Sequence, residues 1–89
     1  MSVRIRRLAE KDKPEWLVLF KGYIEFYKAT VSDDIIEATW RRLLEGANDF
    51  HIGLVAVSSD DRAIGIAHVL FHRSTWALTH YCYLEDLFV

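Results

Sequence analysis

The chain has 89 residues, of which 52% are hydrophobic and 13% aromatic, and its 11 basic and 13 acidic side chains give a net charge of −2. This length allows one small domain, and the apolar content excludes a disordered chain. The near-balance of charge excludes a basic nucleic-acid-binding surface, and no apolar run approaches the ~20 residues of a membrane-spanning helix.

Two features of the sequence concern its location in the cell. Cys82 is the only cysteine, so the chain cannot form an internal disulfide. The first residues, MSVRIRRLAEKDK, lack the apolar core of a signal peptide. Because a chain without disulfides suits a reducing compartment, we predict a cytoplasmic protein with no membrane and no nucleic-acid partner.

The N-terminal part of the chain predicts a strand followed by a helix. Val3 and Ile5 alternate with arginines, as expected for a short strand with one apolar face. Apolar and aromatic side chains then recur at helical spacing, which predicts a helix over about 14–28. Asp12 and Glu15 have the spacing of a capping box at the start of this helix.

A second helix is predicted after a short break. Ser32, Asp33 and Asp34 are candidate N-caps, and Asp34 with Glu37 repeats the capping-box spacing. An apolar stripe follows, and Gly46 is a natural C-terminal stop for the helix.

The remaining residues have the composition of three strands, separated by a polar turn over 58–62 and a loop over 72–77. Short connections favour antiparallel pairing. We therefore predict an α+β fold of element order β-α-α-β-β-β, in which the helices pack on a mostly antiparallel sheet. The predicted strands span about 52–57, 64–71 and 79–89.

The sequence ends inside a hydrophobic strand, at Leu87-Phe88-Val89, with no turn or polar tail after it. We therefore expect residues 1–89 to form a single partial domain that is truncated after its fourth strand.

The segment over 81–89, YCYLEDLFV, together with this element order, resembles the GCN5-related N-acetyltransferase (GNAT) superfamily. Within the superfamily it is most similar to polyamine and small-amine acetyltransferases of the spermidine/spermine and histone/polyamine types. The helix around 40–44 and the strand around 65–68 resemble the two elements that precede this segment. The resemblance covers the whole chain, and its specific part is the last nine residues.

The resemblance implies the N-terminal half of an enzyme that transfers an acetyl group from acetyl-CoA to a primary amine. Polyamines, small amines and lysine-like amines are all open as acceptors. In that superfamily a glycine-rich loop after the fourth strand holds the pyrophosphate of acetyl-CoA. The sequence contains no Gly-x-Gly pair, so we expect this chain to be an incomplete and inactive fragment.

The resemblance also assigns roles to individual residues. Glu85 is the candidate general base, acting directly or through water, and it also faces the substrate amine. The main-chain groups of Leu87, Phe88 and Val89 are expected to bind the acetyl carbonyl and the pantetheine arm, with their side chains serving the core.

Near the end of the first predicted helix, the resemblance makes Glu25 and Tyr27 candidates for binding a cationic substrate. Taken by themselves, Glu25 fits a solvated helix face and Tyr27 fits core packing.

Taken from the residues alone, Glu85 and Asp86 are neighbouring carboxylates that a regular strand would direct to opposite faces. At least one would then meet a largely buried environment, which raises the pKa of a carboxyl group. The alternative is that both pair with arginines or cap nearby backbone groups. We interpret Asp86 as structural.

The histidines and the cysteine do not predict a metal site. His68 and His72 are four residues apart, which on a strand is about 13 Å and too far for one tetrahedral zinc. His80 and Cys82 match no usual zinc spacing. We interpret Cys82 as a buried, unreactive thiol.

Two other functions are compatible with the sequence. The first is a non-catalytic interaction module that forms a homodimer or a domain-swapped assembly through the exposed edge of its last strand. The second is a carrier of apolar ligands, suggested only by the aromatic content.

Overall fold

A computed structural model describes residues 2–45 and 51–89 of the chain. The elements follow the predicted order and confirm the α+β class; the predicted stop at Gly46 lies outside the described residues. The elements are β1 (Val3–Arg7), a 3-10 turn (Glu10–Asp12), α1 (Lys13–Phe26), α2 (Asp33–Glu45), β2 (His51–Ser58), β3 (Ala63–Arg73) and β4 (His80–Phe88).

The four strands form one sheet in the order β1-β2-β3-β4, and every neighbouring pair is antiparallel. Val55 of β2 lies opposite Ile66 of β3, which lies opposite Phe88 of β4. These residues point toward the helices, because residues paired across strands share one face of a sheet. The helices α1 and α2 therefore cover one face only.

The core lies between the two helices and this face. Trp16 of α1 has no exposed surface, and its ring centroid lies 4.8 Å from that of Trp40 on α2. The ring of Phe20 stacks on Trp16 with a centroid distance of 5.1 Å. Burying large aromatic rings supplies most of the hydrophobic stabilisation in so small a domain.

The apolar face of β1 is directed away from this core. Val3 and Ile5 are 50% and 65% exposed. Ile5 pairs with Ala56, whereas Arg6 pairs with Val55 and so shares the face that the helices cover. The alternation therefore identified the strand correctly but did not show which side is buried. Leu84 and Leu87 of β4 are also more than half exposed.

The capping box predicted at the start of α1 is not formed. Asp12 makes no side-chain hydrogen bond to the helix end. Its carboxylate instead accepts two hydrogen bonds from Arg6, at 2.7 and 2.9 Å, and one from the Ala9 N–H at 2.7 Å. Glu15 accepts a hydrogen bond from the Ala63 N–H at 2.9 Å. A two-pronged pair with a guanidinium is stronger than a cap, which explains the difference.

The start of α2 also differs from the predicted capping box. Ser32 is the cap that forms, because its hydroxyl accepts a hydrogen bond from the Ile35 N–H at 3.3 Å. Glu37 pairs with Lys13 of α1 at 2.7 Å. This ion pair joins the starts of the two helices.

The Arg6–Asp12 pair predicts a large effect of one substitution on stability. Asp12 is only 4% exposed, and its hydrogen bonds with Arg6 hold the pKa of its carboxyl below the usual range. We expect Asp12→Asn to lower the free energy of unfolding by about 2 kcal/mol at pH 7. Denaturant unfolding measures this, and the exposed Asp60→Asn is the matched control.

The pH dependence follows from the sign of this shift. Because the pKa of Asp12 is lower in the folded state, its ionised form stabilises the fold fully above the unfolded-state pKa of about 3.9. This stabilisation is lost as the pH falls from there through the folded-state pKa. The difference between the wild type and Asp12→Asn should therefore shrink below about pH 4. An unchanged difference in acid would show that the charge of Asp12 is not the cause.

Candidate active site

A β-bulge interrupts the pairing of β3 with β4 at Glu85. His68 lies opposite Asp86, and Val69 lies opposite Leu84, so Glu85 has no partner residue on β3. A bulge breaks the alternation of side chains between the two faces of a strand. Glu85 and Asp86 consequently line the same cavity, and the prediction that they face opposite sides is wrong.

A chain of hydrogen bonds holds Asp86 in place. The indole N–H of Trp16 donates to His68 Nε2 at 2.9 Å. Nδ1 of the same imidazole lies 2.8 Å from Asp86 Oδ2. Since Nε2 accepts the indole proton, the proton of a neutral His68 lies on Nδ1 and is donated to Asp86. These hydrogen bonds connect the first turn of α1 to β3 and β4.

His68 is the buried member of this chain, being 4% exposed. Burial lowers the pKa of its imidazole, against the opposing effect of Asp86. The geometry favours the same direction, because an imidazolium would direct a second N–H at the indole N–H of Trp16. His68 is therefore neutral at physiological pH.

Tyr23 of α1 is a second contact of Asp86. A hydrogen bond with Asp86, together with burial, raises the pKa of Tyr23 to about 12. Tyr23 therefore stays a neutral phenol and donates its hydroxyl proton toward the carboxylate. The position of Asp86 is determined from two sides, by β3 and by α1.

These groups face a cavity of about 440 Å³ between α1, α2 and the sheet. The volume is within the range of small-molecule sites, and the walls are mainly apolar with a few polar side chains. The polar and charged side chains that line it are Tyr23, Tyr27, Thr39, Arg42, His51, His68, Glu85 and Asp86.

Several proteins are similar to this chain. It is 27% identical over 85 residues to the D-amino-acid N-acetyltransferase HPA3 of Saccharomyces cerevisiae, an alignment that covers 96% of this chain and 53% of the yeast protein. No protein-family model matches the chain.

Two solved structures have the same fold. The aminoglycoside 6'-N-acetyltransferase AAC(6')-Ih of Acinetobacter baumannii superimposes with a TM-score of 0.74 at 20% identity, covering 99% of this chain and 57% of that one. A GNAT family acetyltransferase of Staphylococcus aureus superimposes with a TM-score of 0.71 at 12% identity, and the match covers 100% of this chain and 63% of that one.

The fold is that of the N-terminal half of a GNAT domain. The yeast protein that is similar in sequence is, by its name, also an N-acetyltransferase. The chain spans between about half and two thirds of the length of these relatives.

The GNAT-like fold brings together some of the predicted site residues. Glu85 and Tyr27 both line the 440 Å³ cavity. Tyr27 is 64% exposed, so it does not serve the core, and its ring lies 5.0 Å from that of Tyr23. Glu25 is exposed and lines a separate, shallower groove beside Lys21 and Lys28. The fold thus separates Glu25 from Glu85.

The three residues predicted to bind the cofactor lie together at the end of β4. Leu87, Phe88 and Val89 line a crevice of about 250 Å³ against the end of α1, which contributes Tyr23 and Tyr27. These two tyrosines also line the larger cavity. The crevice and the cavity are therefore neighbours on either side of the same aromatic pair.

Sequence reasoning missed His68, Tyr23 and Asp86 as parts of one arrangement. The helical spacing of Tyr23 and Tyr27 predicted that both lie on one face, but it did not connect either with His68 or Asp86. No signal in the sequence connected Trp16 with His68, which are 52 residues apart.

Cys82 is exposed, so the interpretation of a buried thiol is wrong; it lies on the outermost strand of the sheet. Over residues 2–45 and 51–89, the GNAT-like fold has no cluster of three side chains able to hold a metal, and no helix long and apolar enough to span a membrane.

The neutral state of His68 predicts how stability varies with pH. A lowered histidine pKa gives stability that is complete above the unfolded value of about 6.5 and falls as the pH drops below it. We expect the free energy of unfolding to fall between pH 7 and pH 5, by at most about 1.4 kcal/mol per pH unit. Denaturant unfolding at several pH values measures this slope.

The matched variants are His68→Gln, which removes the titration but keeps a polar side chain, and His72→Gln, which changes an exposed histidine. The slope should flatten in His68→Gln alone. An equal slope in both variants would assign the pH dependence to another group.

Proposed function

We propose that this chain is part of an N-acetyltransferase that transfers an acetyl group from acetyl-CoA to a primary amine. The observation that carries the proposal is the cavity on which Glu85 and Asp86 converge, bordered by the free edge of β4. Two carboxylates in a concave, mostly apolar site suit the binding of an ammonium group. The comparisons with acetyltransferases support the reaction class.

Acetyl transfer requires the amine to lose its proton, because an alkyl ammonium has a pKa of about 10.4 and cannot attack a carbonyl. We assign this task to Glu85. It is exposed to the cavity, and the bulge removes its side chain from the regular packing of the strand. Asp86 is bound to His68 and Tyr23, so it serves as a fixed counter-charge for the ammonium.

The end of β4 fits the amide-rich arm of coenzyme A. As the last strand in the sheet order, β4 has outward N–H and C=O groups with no neighbouring strand among residues 2–45 and 51–89. Such groups pair with an extended amide-containing ligand. Leu87, Phe88 and Val89 would hold the arm in the 250 Å³ crevice. When bound, acetyl-CoA supplies the acetyl group as an activated thioester.

The acceptor could be a polyamine, a small amine or a lysine-like amine. The sequence resemblance favours the polyamine type, whereas the name of the yeast relative gives a D-amino acid as its substrate. Since the chain spans 53% of that relative, we propose that the 89 residues alone are an incomplete domain with very low activity, and that catalysis requires the residues that complete the cofactor site.

The test uses this chain and a version extended through the helix that follows the fourth strand in GNAT domains. We expect the extended chain to bind acetyl-CoA in calorimetry and to acetylate primary amines, detected by mass spectrometry. Glu85→Gln in the extended chain should lower kcat by about 100-fold, the contribution of a general base, and leave acetyl-CoA affinity unchanged.

Glu10→Gln changes an exposed carboxylate that does not line the cavity, and it should retain full activity. If the extended chain neither binds acetyl-CoA nor acetylates an amine, the enzyme proposal is wrong. If Glu85→Gln retains full kcat, the base is another group.

A second function is favoured by the exposed strand β4. Its outer edge is open, and Tyr83, Leu84 and Leu87 on it are each about half exposed. Open edges of this composition pair with strands of other chains. We propose that the isolated chain self-associates through β4, as a homodimer or by exchanging elements with a second copy. A cytoplasmic location stays a prediction.

For this proposal we expect light scattering to show a mass that rises with concentration toward that of a dimer. Replacing Leu84 and Leu87 together by Lys should shift the chain to monomer, because charges on an edge strand oppose pairing. The control is Leu78→Lys, since Leu78 is fully exposed outside β4. A monomer at every concentration would exclude self-association.

A further inference from the structure

The cavity has side chains of opposite charge on its two sides. Glu85 and Asp86 of β4 form the anionic side, and Arg42 of α2 lies among the lining residues with His51 of β2. β3 separates β2 from β4 in the sheet, so the backbones of these two strands are about 10 Å apart.

The helical spacing directs Arg42 at the cavity. Ile35, Thr39 and Arg42 are separated by four and three residues, so they share one face of α2, and all three line the cavity. Arg41 is rotated by about 100° from Arg42 around the helix axis and does not line it. Of the two adjacent arginines, Arg42 therefore lines the cavity and Arg41 does not.

The guanidinium of Arg42 is available for a ligand. The ion pairs found within residues 2–45 and 51–89 involve Arg4, Arg6, Lys11, Lys13 and His68 as their basic members. Arg42 is exposed and is not among them. A guanidinium binds a carboxylate through two parallel hydrogen bonds, which gives it a preference for that group.

We propose that the acceptor is a zwitterion: an amine that carries a carboxylate at its far end. Its ammonium would lie against Glu85 and Asp86, and its carboxylate against Arg42. This inference rests on the proposed acetyl transfer to an amine and narrows the class of acceptor. A polyamine would bring a second ammonium toward Arg42, where repulsion between like charges opposes it.

The walls between the two charged sides suit a methylene chain. Leu43, Val69 and Leu70 are among the apolar side chains that line the cavity. An ω-amino acid with several methylene groups places its carboxylate farther from its ammonium than an amino acid of two or three carbons does. Its apolar middle would gain about 0.8 kcal/mol for each methylene group buried against these side chains.

The test compares two ligands that differ chiefly in one charged group, 6-aminohexanoate and pentylamine, by calorimetry on the 89-residue chain at low salt. We expect 6-aminohexanoate to bind about fivefold more tightly, the effect of one partly exposed ion pair. Arg42→Gln should abolish this preference and leave pentylamine binding unchanged. Arg41→Gln, the matched control, should preserve the preference.

The remaining outcomes separate the two proposals. Equal binding of both ligands, with pentylamine binding weakened by Glu85→Gln, would overturn the zwitterion and leave the amine site intact. A preference that survives Arg42→Gln, or that Arg41→Gln abolishes equally, would overturn the role of Arg42. Binding of neither ligand would overturn this inference, whereas the proposed function stands or falls separately on acetyl-CoA binding and amine acetylation by the extended chain.

Discussion

The hydrogen bonds from Trp16 to His68 and from His68 to Asp86 are the constraint on which the rest of the structure depends. They connect the most buried residue of α1 with the middle of β3 and with the bulge on β4. Breaking one would leave an indole N–H or an imidazole nitrogen buried without a partner, at a cost of about 1–3 kcal/mol. The same atoms thus hold α1 on the sheet and fix a carboxylate at the cavity, which couples the stability of the fold to the geometry of the site.

Most of the fold could be predicted from the sequence because it depends on local patterns. Helical spacing in α1 and α2, turn residues between β2 and β3, and runs of strand-forming residues predicted both α-helices and all four strands of the described residues in their correct order. Burial was less predictable. Val3 and Ile5 form the apolar face of β1, yet pairing with β2 directs them away from the helices. Which face of an edge strand is covered depends on distant residues, and the period of a strand contains no information about them.

Only those residues of the candidate site that lie in a short, recognisable segment could be named from the sequence. Glu85 and the residues over 87–89 came from the resemblance of one segment, and the structure places them at a cavity and an adjoining crevice. The bulge could not be predicted, because it arises from the register of β4 against β3. Without the bulge, Asp86 was interpreted as merely structural, and its contacts with His68 and Tyr23 were missed. Arg42 was also missed, because its place at the cavity depends on how α2 lies over the sheet, which the sequence does not show.

The bulge also gives the two adjacent carboxylates different surroundings, which the proposed roles require. Asp86 is partly buried and is held by His68 at 2.8 Å, with Tyr23 nearby on α1. Glu85 has no partner residue on β3 and is exposed to the cavity, so its carboxylate is accessible to a ligand. Sites that need both a fixed charge and a proton acceptor separate two acids by environment rather than by type. A regular strand would have directed one of the two away from the cavity. The irregular register of β4 therefore makes a two-carboxylate site possible on a single strand.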